Sequence, residues 1–322
     1  MEPINFLTKS RVLIIAGKGG VGKTTITAAI SHMAAKLNLK SLIIEIEGKT
    51  TLPTFFEKDI ELSYKDQQLE HSLGSKNTGE VLGRTLTPDE AMMEYLKSHG
   101  FGSLSKRFAS SGAMEVIATA APGIKDILIL GKIKQLERSN DYDLIIVDAP
   151  AAGHALTFLT SASGFLDAIQ VGPIKVQASD VAELLKDPTR SQIILVTLPE
   201  ETPVSETIET SIKMEQEIGM SLGPIIVNGI YNSIDYLDQD PLALAKKANI
   251  ELSSYEAEKL ASAAQFRFQR QLLQKEQVDR ITEKINLDLI KLPFLFTPQI
   301  GLKELDILSE SFIQAILNLE SK

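Results

Sequence analysis

The sequence predicts an α/β fold: a doubly wound, mostly parallel sheet with an inserted helical subdomain. Three observations predict it. Short, nearly continuous apolar runs alternate along the chain with segments of helical periodicity. The first of these runs leads at once into a glycine-rich turn and an amphipathic helix. Two later stretches, about 85–138 and about 240–285, carry helical patterns without an apolar strand between them. A parallel sheet covered by helices on both faces needs strands that are apolar at successive positions, and these runs have that character.

Val12–Ala16 is the first strand candidate. In the segment after it, Ile26, Ala29, Ile30, Met33, Ala34 and Leu37 fall on one face of a helix. Ser41–Glu45 is the next strand, so Val12–Ile46 reads as a βαβ unit with a tight turn. Asp143–Val147, Gln192–Thr197, Pro224–Val227 and Leu287–Leu292 complete the strand candidates. The two helical stretches form either a joint subdomain or ordinary crossover helices. A last helix sets Leu305, Leu308, Phe312, Ile313, Ile316 and Leu317 on one side and acidic residues on the other. It lacks the basic face of a membrane-surface helix. No repeat or Pro/Gly/Ser-rich linker divides the 322 residues, which are expected to form a single domain, 1–322.

The composition narrows the function classes. Hydrophobic residues make up 43% and charged residues 23%, a soluble globular balance. The net charge of −9, without a long Lys/Arg run, argues against a nucleic-acid partner. The absence of cysteine excludes disulfides, thiolate zinc sites and iron–sulfur clusters. Residues 1–20 lack the apolar run of a signal peptide, and no stretch approaches the roughly 18–20 apolar residues of a membrane span. A cytoplasmic location is therefore expected.

The chemistry concentrates at Gly17-Lys18-Gly19-Gly20-Val21-Gly22-Lys23-Thr24-Thr25, which fits G-x-x-x-x-G-K-[ST]. Backbone N–H groups must turn inward around phosphates, and bulky side chains would block that approach. Lys23 would place a point charge on the β- and γ-phosphates. Thr24 would offer its hydroxyl to Mg²⁺, and the following helix would aim its positive end at the anion. ATP and Mg²⁺ are the expected ligands, and the expected fold is that of a P-loop NTPase. Leu144–Val147 is an apolar run that ends in Asp148, a carboxylate suited to hold Mg²⁺ directly or through water. Gly153, shortly beyond it, could give its N–H to the γ-phosphate in a loop that orders with ATP. His154 at the same helix start is a cap or packing residue more often than a catalyst. His32, His71 and His99 show no metal-ligand spacing.

These motifs resemble, in order along most of the chain, those of the ArsA-type ATPases. That family includes the arsenite-pump ATPase and the ATPase that targets tail-anchored membrane proteins. The K-G-G-V-G-K-T loop is similar to the signature-lysine form of dimeric ATPases, and the resemblance implies that Lys18 acts on the nucleotide of the opposite subunit. Asp148–His154 with Phe158-Leu159 looks like the family's D-x-x-P-T-G-H-x-L-R-x-L switch, with a shifted proline. Ala121-Pro122-Gly123-Ile124 resembles its L-P-G-I segment, and Pro199-Glu200 its P-E segment. Pro224–Asn228 resembles the strand whose Asn reads adenine, and Leu292-Pro293-Phe294 the final strand, which closes over the base. The resemblance thus implies that Asn228, Pro293 and Phe294 frame adenine.

The departures also carry information. Glu47 stands where the family's switch I has the Asp that orients the attacking water, one methylene longer. Positioning water demands tight geometry, so slow turnover or help from a partner is implied. Without cysteine the chain lacks thiolates for arsenite and the C-x-x-C zinc clamp of the targeting branch. The expected assembly is a homodimer, or a heterodimer with a related chain. Met92, Met93 and Met114, with Leu96, Phe101, Leu104 and Phe108, suggest an apolar groove for a hydrophobic protein segment or membrane-protein client. The alternative is a regulatory or pump-associated subunit without such a groove.

Overall fold

A computed structural model describes residues 1–46, 51–71, 79–98, 100, 123–168 and 172–319. In chain order its elements are α1 (Pro3–Thr8), β1 (Val12–Gly17), α2 (Lys23–Lys36), β2 (Lys40–Ile46), α3 (Leu52–Phe55), β3 (Gln67–His71), β4 (Glu80–Leu86), α4 (Pro88–Ser98), α5 (Ile124–Ser139), β5 (Leu144–Ala151), α6 (Ala152–Ala168), α7 (Pro173–Lys186), β6 (Ser191–Thr197), α8 (Glu201–Lys213), β7 (Ile225–Ile230), α9 (Pro241–Lys247), α10 (Ser254–Lys284), β8 (Leu289–Pro293) and α11 (Leu302–Leu317). One π-helical turn, Met214–Ile218, follows α8.

The strands form one sheet in the order β3-β4-β2-β5-β1-β6-β7-β8. Every pairing is parallel except β3 with β4. The chain winds outward from β1 in both directions, so the expected doubly wound α/β class is borne out. All side chains of β1 and β6 are buried, as are those of β2 after Lys40. That explains the continuous apolar runs: each strand is covered on both faces.

The helices divide between the two faces. On one, Ile26, Ile30 and Met33 of α2 pack with Leu305, Leu308 and Phe312 of α11 over Leu13, Ile15, Ile43 and Ile146. On the other, α5, α6, α7, α8 and the C-terminal part of α10 cover Val12, Ile14, Ile44 and Val147. A small third cluster joins Ala91 and Met92 of α4 to Ile124, Ile127 and Leu128 of α5.

Two strands escape the sequence reading. β3 and β4 lie between residues 67 and 86, where no strand was expected. β4 carries Gly83 and Arg84 in its middle, and β3 is a polar antiparallel edge strand. Among the described residues of 85–138 stand α4 and α5, while 240–285 holds α9 and α10.

α10 has 31 residues and starts from a capping box between Ser253 and Glu256. Its buried residues are Ala257 near the start and Gln274, Gln277, Val278 and Ile281 near the end. Between them Leu260, Phe266, Leu272 and Leu273 are exposed.

Candidate nucleotide site

The loop between β1 and α2 takes its shape from two glycines. At Gly17 an added Cβ would meet the Val196 carbonyl at 2.3 Å, so β1 can lie against β6 only without a side chain there. Gly22 has φ +95°, and a Cβ on it would stand 2.5 Å from the Asn228 side chain. At Gly19 and Gly20, by contrast, a Cβ would find no described atom within 4 Å, so that side of the loop is open. The N-terminus of α2 follows directly, bringing its unsatisfied N–H groups and the positive end of its dipole.

Lys23 is 8% exposed and arches back along the loop, donating to the Gly17 carbonyl at 3.1 Å and the Lys18 carbonyl at 3.2 Å. Thr24 Oγ1 donates to Asp148 Oδ2 at 2.7 Å, and Asp148 is fully buried. The sheet produces this meeting. β1 and β5 are neighbours with Ile15 opposite Asp148, so the carboxylate stands beside the first turn of α2. A hydroxyl and a carboxylate are hard oxygen donors, the chemistry Mg²⁺ prefers, so this pair fits that ion.

The other expected residues spread around this centre. Lys18 Nζ leaves the loop and bonds Glu206 of α8 at 2.6 Å, with the two side chains 35% and 41% exposed. Asn228 Nδ2 donates to the Val21 carbonyl at 2.9 Å, bracing the loop from β7. Pro293 ends β8 half-buried, and the Phe294 amide donates to the Ile230 carbonyl at 2.8 Å. Thr25 is half-buried on α2. Gly153 and His154 are exposed in the first turn of α6, because β5 continues through Ala151 and leaves no intervening loop. Glu47 lies outside the described residues.

Two residues of this region were not anticipated. Glu45 is fully buried, and its Cα pairs with that of Asp148 across β2 and β5. Residues 43, 45, 146 and 148 share the strand face turned toward α2, so the two acids are neighbours. A single carboxylate inside Leu-Ile-Ile-Glu-Ile was the available signal. Glu206 is the other, and no local pattern links it to a lysine 188 positions away.

Comparison with known proteins bears on this geometry. Residues 10–170, which contain the loop and Asp148, match the family model described as anion-transporting ATPase. ATPase BagA of Mycobacterium tuberculosis is 32% identical over 78% of this chain and 74% of its own length. The chain belongs to the anion-transporting ATPase family. This bears out the ArsA-type resemblance, and the protein is an ATPase. The arsenical pump-driving ATPase of Escherichia coli is 26% identical over 79% of this chain but only 40% of its own length. ATPase GET3 of Chaetomium globosum is 27% identical over 46% of this chain and 42% of its own. Among the described residues of this anion-transporting ATPase family member, no helix is long and apolar enough to cross a membrane.

Proposed function

We propose that this ATPase is a Mg²⁺-dependent dimeric switch, in which bound ATP controls the binding and release of a hydrophobic protein segment. The observation that carries the reading is the division between two lysines of one loop. Lys23 is folded against its own loop carbonyls, whereas Lys18 is directed outward to α8. An inward lysine suits the β- and γ-phosphates of the same subunit. An outward one suits the phosphates of a facing copy, where it would neutralise charge that develops in phosphoryl transfer.

The remaining roles follow from placement. The open backbone at Gly19 and Gly20, with Val21, Gly22 and Thr25, would cradle the phosphates. Thr24 and Asp148 would hold Mg²⁺, which supplies charge neutralisation between phosphate oxygens. Glu47 would orient water, and Gly153 would offer its amide to the γ-phosphate. Asn228, Pro293 and Phe294 would frame the base. A surface for an apolar partner is supported by a cavity of about 350 Å³ near α9 and α10, lined by Leu237, Leu244, Ala248, Ile250, Leu252 and Leu260.

Replacing Lys18 tests the switch. Lys18→Ala should bind ATP nearly as the parent does, yet hydrolyse it at least about a hundredfold more slowly, by analogy with loss of an arginine finger. Unchanged turnover would sink the trans role.

A second reading has its own observation. Met92 is buried in the α4–α5 core, and Leu96 packs against it, half-buried. Met114, Phe101, Leu104 and Phe108 lie outside the described residues. On this reading the protein is a regulatory or pump-associated subunit that works with a related chain.

A further inference from the structure

A cavity of about 280 Å³ lies along α5, between α4 and α7, and no described residue that lines it belongs to the nucleotide site. Its floor follows from helix geometry. Leu128, Gly131, Gln135 and Arg138 recur at intervals of three or four residues, which puts them on one stripe of α5. Gly131 lowers the middle of that stripe. A Cβ there would overlap the Gln177 amide nitrogen, so the Gln177 side chain of α7 can lie across α5 only over a glycine. Glu94 of α4 lines the cavity from the other side.

Cations crowd this space. Lys132, Lys134 and Arg138 line it, against Glu94 as the one carboxylate among the described residues. The side chains of Lys132 and Lys134 are only 11% and 10% exposed, and charges so enclosed need partners. Lys132 Nζ donates to Glu94 Oε1 at 2.7 Å and to Gln135 Oε1 at 3.0 Å. Lys134 Nζ donates to Asp180 Oδ2 at 2.8 Å and to Gln177 Oε1 at 3.3 Å. Gln135 and Gln177 both line the cavity, which sets the two ammonium groups at its wall. An ammonium has three N–H donors, so each keeps one beyond those that the described residues engage. Arg138, exposed at the solvent end of the stripe, stands 3.5 Å from Asp180 Oδ2 and has donors to spare. The acceptor side is already used: Glu94 Oε2 takes the Tyr64 hydroxyl at 2.7 Å. Three cations thus meet two carboxylates, Glu94 and Asp180, and leave a local surplus of positive charge on a chain of net charge −9.

This chemistry selects an anion with several oxygens. The spare donors approach from different directions: Lys132 from the α4 side, Lys134 from the α7 side and Arg138 one turn beyond Lys134 on α5. A planar carboxylate cannot face three such donors as well as a tetrahedral phosphate can. Ala91 and Leu128 add apolar surface for an organic body, and the volume suits a small ligand rather than a nucleotide.

We propose that the cavity between α4, α5 and α7 binds a small phosphate monoester, whose phosphate is held by Lys132, Lys134 and Arg138.

Phenyl phosphate is the probe, titrated by calorimetry into the chain saturated with Mg²⁺-ADP, so that the phosphate loop is already filled. It should bind once, and benzoate should bind at least about tenfold more weakly. Arg138→Gln removes the charge at the solvent end. Gln135→Glu gives Lys132 a second carboxylate partner and sets a negative charge against the ligand. Both residues are exposed, so neither change disturbs the core. Each variant should weaken phenyl phosphate about tenfold or more and leave Mg²⁺-ADP affinity and the melting temperature unchanged. In the parent chain phenyl phosphate should also slow the acetylation of Lys132 and Lys134, read by mass spectrometry, a measurement that needs no variant. No binding to the ADP-saturated chain, unaltered affinity in either variant, benzoate bound as tightly, or both lysines acetylated at their unprotected rate would overturn the proposal.

Discussion

At the scale of the residue, the loop assigns different surroundings to side chains of the same type. Lys23 has carbonyl oxygens of its own loop around it, and a bound phosphate would take their place with a stronger charge-assisted contact. Lys18 has a carboxylate, and any function in a second subunit requires it to leave Glu206. The cost of leaving is bounded by exposure. Both partners are more than a third exposed, and such pairs contribute about 0.2–1 kcal/mol. Glu206→Gln should therefore raise hydrolysis modestly, by about one and a half to fivefold, with the larger effect at low salt. Steady-state ATPase rates at two ionic strengths measure this. A tenfold loss would instead give Glu206 a part in the reaction itself. The glycines and lysines of this loop are legible because the motif is contiguous. Glu206 is not, since folding alone brings it to the loop.

At the scale of the element, α2 links the loop to the rest of the molecule. His32, two turns beyond the loop, is 5% exposed and lies between two acids. Its Nδ1 meets Glu70 of β3 at 2.7 Å, and its Nε2 meets Asp306 of α11 at 2.9 Å. Two carboxylates can both be satisfied only by a ring that carries both protons. Burial lowers the His32 pKa, but the hydrogen bonds to Glu70 and Asp306 and their charges outweigh it, and the net shift is upward from 6.5. Lys36 also bonds Asp306 at 2.8 Å and stands 4.0 Å from Glu310, so cations hold the α11 side together. A raised folded-state value means that the stabilisation is complete below the unfolded value and is lost as pH rises through the folded one. His32→Leu should thus cost about 1–3 kcal/mol near pH 6, and the gap should narrow near pH 9. Urea unfolding of both chains at the two pH values measures it, and a gap independent of pH would make His32 a neutral packing residue. The strands show the same limit of local reading. β1 and β6 declare themselves because every side chain is buried in apolar surroundings. β4 does not: a Cβ on Gly83 would fall 2.7 Å from Leu69, and Arg84 Nε is satisfied by Asp66 at 2.6 Å. Both conditions are tertiary, and a polar or glycine position carries no sign of them.

At the scale of the whole molecule, the question is what faces the open side of the loop. Each copy carries a net charge of −9, so two copies repel at long range and association needs a local gain. Nucleotide alone adds negative charge to that surface. Mg²⁺ held by Thr24 and Asp148 would offset part of it, and Lys18 from the opposite copy would offset more, so closure should need metal and nucleotide together. Sedimentation velocity should show the chain at its own mass without nucleotide. With Mg²⁺ and a non-hydrolysable ATP analogue it should move to twice that mass, and Lys18→Ala should weaken the shift. Replacing Mg²⁺ with a chelator should abolish the shift, because the triphosphate charges would then face each other uncompensated. A chain that binds the analogue with Mg²⁺ and stays at its own mass would rule out the homodimer. Lys18 would then have to meet its phosphate in a different polypeptide, one whose loop faces this one and whose own charge makes up what a second copy does not supply.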